Sequence, residues 1–102
     1  MLTDLQYLLM NRIAHDLYCS TNGDTPTEAS DVNCWLWADE FARDIGLTEY
    51  QVGALLVTLQ AAGFIGMHKA RKVRHQPDES SVWFTDAGFA VWHAAHGKAV
   101  QS

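Results

Sequence analysis

The sequence predicts an α+β fold that is mainly α-helical, with a core of three helices, a β-hairpin and a C-terminal helix. Apolar residues recur at helical spacing in four separate segments. Two short apolar and aromatic runs, 64–68 and 82–85, flank a polar stretch with a turn signal at 76–79. Hydrophobic residues make up 48 % of the 102 residues, which is enough for one domain with its own core over 1–102.

The first predicted helix covers residues 3–18. Its apolar stripe consists of Leu5, Leu9, Ile13 and Leu17, widened by Leu2, Leu8 and Met10. Thr3 or Asp4 can cap its N-terminus. Small polar residues dominate the segment 20–33 that follows, which is long for a connection between helices. We expect this segment to be either a flexible loop or a functional insertion.

The apolar run 34–37 is typical of a short strand that leads into a second helix. This helix is predicted over residues 37–45, and Gly46 ends it. Its buried face has helical spacing and consists of Ala38, Phe41, Ala42 and Ile45.

The third helix, predicted over residues 48–62, has the clearest signal in the chain. Thr48 and Gln51 form a capping box, in which each side chain accepts a hydrogen bond from the backbone of the other. A leucine-rich stripe follows, made of Val52, Leu55, Leu56 and Leu59, and Gly63 ends the helix. The turn before this helix, 46–48, is short and contains glycine, which is the pattern of a helix-turn-helix.

Residues 64–68 and 82–85 are predicted to pair as a β-hairpin. Thr85 can cap a final helix over about 86–96, with Gly97 as its end. Tryptophan buries a large apolar area, so we expect the tryptophans to lie in the core or in an interface rather than to stack on bases. They are Trp35, Trp37, Trp83 and Trp92.

Three stretches of the chain occur in the order of a known regulator fold. The first stretch is Leu2–Gln6, at the start of the first helix. The second runs from residues 41–48 through the leucine stripe to 63–65, and the third is Phe84–Gly88, after the hairpin. In this order they resemble the winged helix-turn-helix of MarR-like bacterial regulators. The resemblance implies a transcriptional regulator that places the second helix of the motif in the major groove of duplex DNA.

In the DNA interpretation, helix 48–62 contacts the bases and a basic wing, residues 68–75, contacts the phosphates. The residues assigned to DNA are Thr48, Tyr50, Gln51, Ala54, Thr58, Lys69, Arg71, Lys72 and Arg74. The net charge is −5, and the wing carries the one basic cluster in the sequence. We expect a homodimer, because one such domain buries too little DNA for high affinity.

A protein-interaction module, such as an acidic adaptor or inhibitor, is the alternative interpretation. No lysine or arginine lies between Arg43 and Lys69, and Glu49 would repel a phosphate. The outer face of helix 48–62 would then contact a protein partner through Tyr50, Ala54, Val57 and Ala61. In this interpretation the basic wing is a solvated hairpin whose charges protect a sheet edge.

Catalysis, a cofactor and a bound metal are not expected. His93 and His96 can share a helix face, but a zinc site needs further ligands, and Cys19 and Cys34 do not have zinc-site spacing. The two cysteines are expected to be reduced, with a bridge between them as the alternative. The acidic N-terminus does not favour a signal peptide, and no apolar run is long enough to span a membrane. We therefore expect a cytoplasmic protein with no membrane contact.

Overall fold

The computed structural model describes residues 2–16, 24–69 and 80–101, and these form an α+β fold that is mainly helical. The elements in chain order are α1 (Asp4–Ala14), β1 (Asn33–Leu36), α2 (Ala38–Ile45), α3 (Glu49–Ala61), β2 (Ile65–Lys69), β3 (Ser80–Phe84) and α4 (Asp86–Gln101). One turn of 3₁₀ helix, Ala29–Asp31, precedes β1. The predicted α+β, mainly helical class is therefore confirmed. None of the described helices has the length and apolar character needed to cross a membrane.

Threonine hydroxyls start three of these helices, as the sequence predicts. The Thr3 hydroxyl accepts from the Gln6 N–H at 3.1 Å. Thr48 and Gln51 form the predicted reciprocal capping box, with distances of 3.1 Å and 2.9 Å. The Thr85 hydroxyl accepts from the N–H of Gly88 at 3.0 Å. These contacts satisfy N–H groups that have no partner within the helix.

Two glycines end helices where the sequence predicts. Gly46 has a φ of 74° after α2, and Gly63 has a φ of 79° after α3, a left-handed backbone that favours glycine. The predicted stop at Gly97 is wrong, because α4 runs through this glycine to Gln101. Glycine weakens a helix by about 1 kcal/mol but does not end it unless the backbone turns left-handed there.

The first helix is shorter than predicted. It ends at Ala14 rather than at residue 18, and His15 is its C-cap with a non-helical φ of −106°. Leu17 lies outside the described residues. Leu5 is 47 % exposed, so it does not belong to the buried stripe that the sequence predicts. Leu9, Met10 and Ile13 form the buried face of α1 instead.

The three strands form one antiparallel sheet in the order β1–β3–β2. The predicted hairpin is confirmed as β2–β3, with Met67 opposite Val82, and β1 pairs with the other side of β3, with Cys34 opposite the same residue. Alternate residues face the helices, and their side chains are buried: Cys34, Leu36, Ile65, Val82 and Phe84. The helices therefore cover one face of the sheet.

The buried core lies between this sheet face and the helices. α3 buries Val52, Leu56 and Leu59, which confirms most of its predicted leucine stripe. Trp92 of α4 is fully buried, and its indole N–H donates to the Asn11 side chain of α1 at 3.2 Å. The core thus joins α3 to both terminal helices.

The segment predicted as a loop, 20–33, has ordered structure near its C-terminal end. Pro26 and Val32 are fully buried, and the last residue of the segment, Asn33, begins β1. The Asp31 carboxylate accepts hydrogen bonds from the N–H groups of Thr27 and Glu28 at 2.9 Å and 3.2 Å. Residues 20–23 lie outside the described residues.

Candidate functional site on the third helix

The turn between α2 and α3 is short, with only Gly46, Leu47 and Thr48 between the two helices. The left-handed Gly46 reverses the chain, and the N–H of Leu47 donates to the Ala42 carbonyl at 2.9 Å. The Thr48 capping box then starts α3 directly. Because the opposite side of α3 is buried, this geometry leaves its outer face at the surface.

The outer face of α3 is exposed and largely uncharged. Tyr50 is 86 % exposed and Val57 is 66 % exposed, which is unusual for a β-branched apolar side chain. Ala54 and Ala61 are also exposed, and helical spacing places all four on one side of the helix. The structure therefore brings together the four residues predicted as a protein interface, two of which are also predicted to contact DNA.

The other predicted DNA contacts on α3 already make hydrogen bonds within the protein. Thr48 and Gln51 bond to each other in the capping box. The Thr58 hydroxyl donates to the Leu55 carbonyl at 2.7 Å and accepts from the Gln6 side chain of α1 at 3.2 Å. Sequence reasoning missed this link between α1 and α3, because Gln6 and Thr58 are far apart in the chain.

Tyr50 is the predicted contact on α3 that is most accessible. Its hydroxyl has no hydrogen-bond partner among the residues that the structure describes. The ring stands at the first turn of α3, next to the exposed Glu49. A phenol in this position can donate or accept a hydrogen bond and can also pack its ring face on a partner.

The charges next to α3 are mostly acidic or already paired. Arg12 of α1 contacts the carboxylate of Asp44 at 2.7 Å and that of Asp16 at 3.0 Å, and its guanidinium lies 4.5 Å from the centre of the Phe41 ring. Burial lowers the pKa of Arg12, but hydrogen bonds to Asp44 and Asp16 outweigh this effect and raise it overall. This cation therefore ties α1 to α2 rather than offering charge to a partner.

The predicted basic wing is only partly within the described residues. Lys69 is the last residue of β2, and its backbone pairs with Ser80 at the end of the hairpin. Arg71, Lys72 and Arg74 lie outside the described residues. The exposed His68 is on the sheet face that points away from the helices.

Two tryptophans lie on the face of the sheet that no described helix covers. Trp35 is 50 % exposed and Trp83 is 36 % exposed, whereas Trp92 is in the core as predicted. The Trp83 ring lies over Gly66, where any β-carbon would overlap it. The alternation of Trp35 and Trp83 with buried neighbours was the signal in the sequence that could have identified this surface.

The two histidines predicted to share a helix face have different surroundings. His93 is exposed and stacks on Phe89 with ring centres 5.5 Å apart. His96 stacks on Trp92 at 4.8 Å, and its Nδ1 lies 3.3 Å from the Tyr7 hydroxyl. Burial raises the pKa of Tyr7. Within 2–16, 24–69 and 80–101, no group of three or more histidine, cysteine or acidic side chains could hold a metal ion.

One of the two cysteines, Cys34, lies within the described residues. Cys34 is buried in β1, and its sulfur lies 3.9 Å from the Ile13 carbonyl oxygen of α1. Cys19 lies outside the described residues. Cys34 thus packs as a small apolar side chain between β1 and α1.

Comparisons with known proteins were made at three levels. No protein-family model matches the sequence, and neither a curated protein nor a solved structure matches the chain.

Proposed function

We propose that the protein is a winged helix-turn-helix transcriptional regulator that binds duplex DNA through α3 and the basic wing. The observation that carries the proposal is the arrangement of α3, which buries Val52, Leu56 and Leu59 and turns Tyr50 outward. The sheet order β1–β3–β2 places a hairpin directly after this helix, which supports a winged-helix layout. In the sequence, the basic segment 68–75 begins at the end of β2 and lies before β3.

In this proposal each part of the surface makes a different kind of DNA contact. The α3 N-terminus carries positive helix-dipole character and can face a phosphate. The Tyr50 hydroxyl can bond to a base edge, while Ala54 or Val57 can contact a thymine methyl group. Most of the attraction to phosphate comes from the wing, because α3 itself carries no lysine or arginine. The wing cations are Lys69, Arg71, Lys72 and Arg74.

A binding experiment with a salt series tests this function. We expect the chain to shift labelled random genomic duplex fragments at low salt and to lose affinity steeply as salt rises. Replacing the four wing cations with alanine reduces the slope of log affinity against log salt by about 0.9 for each phosphate that is no longer neutralised. The matched control is Lys98→Ala, which removes one exposed cation from α4. Failure to bind any duplex at low salt contradicts the proposal.

The exposed apolar side chains favour a second candidate function, recognition of a protein. Tyr50 and Val57 expose most of their surface on a helix without lysine or arginine, and a partner that covered them would exclude water from both. We expect Val57→Glu to abolish a protein complex captured by the wild-type chain, while Lys69→Ala leaves the complex intact. An unchanged complex in Val57→Glu, measured by sedimentation, excludes this face as the interface.

A further inference from the structure

The β1 strand is an edge of the described sheet, and part of its backbone points away from the neighbouring strand. The Val32 carbonyl accepts a hydrogen bond from the N–H of Phe84 at 3.2 Å, and the register continues this pairing at alternate residues of β1. In an antiparallel ladder, the residues between those pairs point their N–H and C=O groups the other way. The backbone groups of Asn33 and Trp35 therefore face away from β3, and no described residue pairs with them.

This edge lacks the charge, the proline and the bulge that often prevent a strand from pairing with another chain. The four residues Asn33–Leu36 include no charge and no proline, and their one-to-one register contains no bulge. The opposite edge of the sheet is different, because β2 ends in His68 and Lys69. Of the two edges, β1 is thus the one suited to accept a further strand.

The side chains beside this edge provide a place for the side chains of an added strand. A cleft of about 200 Å³ is lined by Asn33, Cys34, Trp35 and Ser81. The indole of Trp35 is half-exposed at this cleft. When a strand is added to a sheet, main-chain hydrogen bonds give affinity, and pockets for alternate side chains give specificity.

The charges at the two ends of β1 select among the strands that could pair with it. Glu28 comes shortly before the strand, Asp39 and Glu40 come shortly after it, and all three are exposed. No lysine or arginine lies between residues 28 and 42. An added strand with positive ends is therefore attracted, and one with negative ends is repelled.

A second copy of this chain fits the edge poorly. Pairing of β1 with itself would bring together two copies of the same exposed acidic residues, Glu28, Asp39 and Glu40, and each chain carries a net charge of −5. These features favour a different protein as the occupant.

We propose that the β1 edge binds an extended segment of a partner protein, with an uncharged apolar centre and lysine or arginine at its ends. The segment adds a fourth strand next to Asn33 and Trp35 and places an apolar side chain against the Trp35 ring. This site is separate from the outer face of α3, so it does not depend on DNA binding.

Two displayed peptide libraries test the chemistry of the occupant. Both have a randomised centre; one is flanked by lysines and the other by glutamates. We expect the full chain to enrich peptides from the lysine library, and the enriched peptides to bind about tenfold or more tightly than their glutamate-flanked versions. Their binding should shift the NMR signals of Asn33 and Trp35. No enrichment, equal enrichment from both libraries, or signals that shift only elsewhere overturns the proposal.

Variants separate the backbone contact from the side-chain contact. Asn33→Pro removes an outward N–H group and leaves the ladder to β3 intact, so we expect it to abolish peptide binding. Trp35→Ser should weaken binding about tenfold, as expected for an aromatic anchor. Lys98→Ala, on α4, is the control that leaves peptide binding unchanged. Circular dichroism verifies that each variant is folded.

Two measurements on the free chain complete the test. We expect a monomer by sedimentation, with fast hydrogen exchange at the N–H groups of Asn33 and Trp35. Slow exchange in the monomer means that the chain covers its own edge, and dimerisation abolished by Asn33→Pro means that a second copy occupies it. Either result overturns the proposal. DNA binding is measured separately, and we expect Asn33→Pro and Trp35→Ser to leave it unchanged because neither residue is among the proposed DNA contacts.

Discussion

Single residues show why this sequence tolerates some changes and not others. Gly88 lies in the first turn of α4, where its N–H bonds to Thr85, and a β-carbon there would overlap the backbone carbonyl of Phe64. The same carbonyl accepts from the N–H of Thr85 at 3.2 Å. The close approach of α4 to the start of the hairpin therefore requires glycine, for steric reasons rather than because of a left-handed φ.

We predict opposite effects for two glycine substitutions in α4. Gly88→Ala should destabilise the fold by about 2 kcal/mol or more, because the backbone of Phe64 must move. Gly97→Ala is the matched control, since a β-carbon there meets nothing within 4 Å, and it should stabilise the helix by up to about 1 kcal/mol. Urea unfolding measures both. Equal stability of the two variants contradicts the close contact at Gly88.

At the scale of one element, the 3₁₀ turn before β1 depends on one carboxylate. The pKa of Asp31 is lowered, chiefly by the hydrogen bond from the backbone N–H of Thr27. Burial raises this pKa, but hydrogen bonds from the Thr27 hydroxyl and the Glu28 N–H lower it further. The deprotonated carboxylate thus connects residues 27 and 28 to the end of the turn. This turn positions Val32, whose carbonyl starts the pairing of β1 with β3.

We predict that this carboxylate makes stability depend on pH in the acidic range. Because the pKa of Asp31 is lower in the folded state, its contribution is present above the ordinary value of 3.8 and is lost as the pH falls through the folded pKa. Asp31→Asn should be less stable than wild type at neutral pH, and the difference should shrink below pH 3.8. Urea unfolding at several pH values measures this. A difference that does not change with pH assigns the effect to another cause.

At the scale of the whole molecule, α1 connects the other helices. Its Arg12 pairs with Asp44 of α2, its Gln6 bonds to Thr58 of α3, and its Asn11 accepts from Trp92 of α4. These contacts hold α3 against the core with its outer face exposed. They also place the two candidate surfaces, the α3 outer face and the β1 edge, on different parts of one core.

We predict that two conservative tryptophan substitutions differ strongly in their effect on the whole fold. Trp92→Phe should cost about 2–4 kcal/mol, because it removes buried volume and leaves the Asn11 side chain without its donor. Trp35→Phe, at a half-exposed position, should change stability by no more than about 0.5 kcal/mol. Thermal unfolding followed by circular dichroism measures both. A similar loss in the two variants contradicts the central position of Trp92.

The sequence by itself determined the features that depend on neighbours within one or two turns. Capping by Thr3, Thr48 and Thr85, the left-handed stops at Gly46 and Gly63, and the buried stripe of α3 were all predictable. Each results from contacts between residues only a few positions apart, and the residue types at those positions determine the geometry of the contacts. The same signals predicted the outer face of α3 as a candidate surface.

Tertiary structure alone decided which distant segments meet. The pairing of β1 with β3, the exposure of Trp35 and Trp83, the contact of Gly88 with Phe64 and the hydrogen bond from Gln6 to Thr58 join residues far apart in the chain. A residue's type does not specify its distant partner, because many partners satisfy the same polarity and size. Packing of the whole core selects one of them, and that selection leaves the β1 edge uncovered by any described strand.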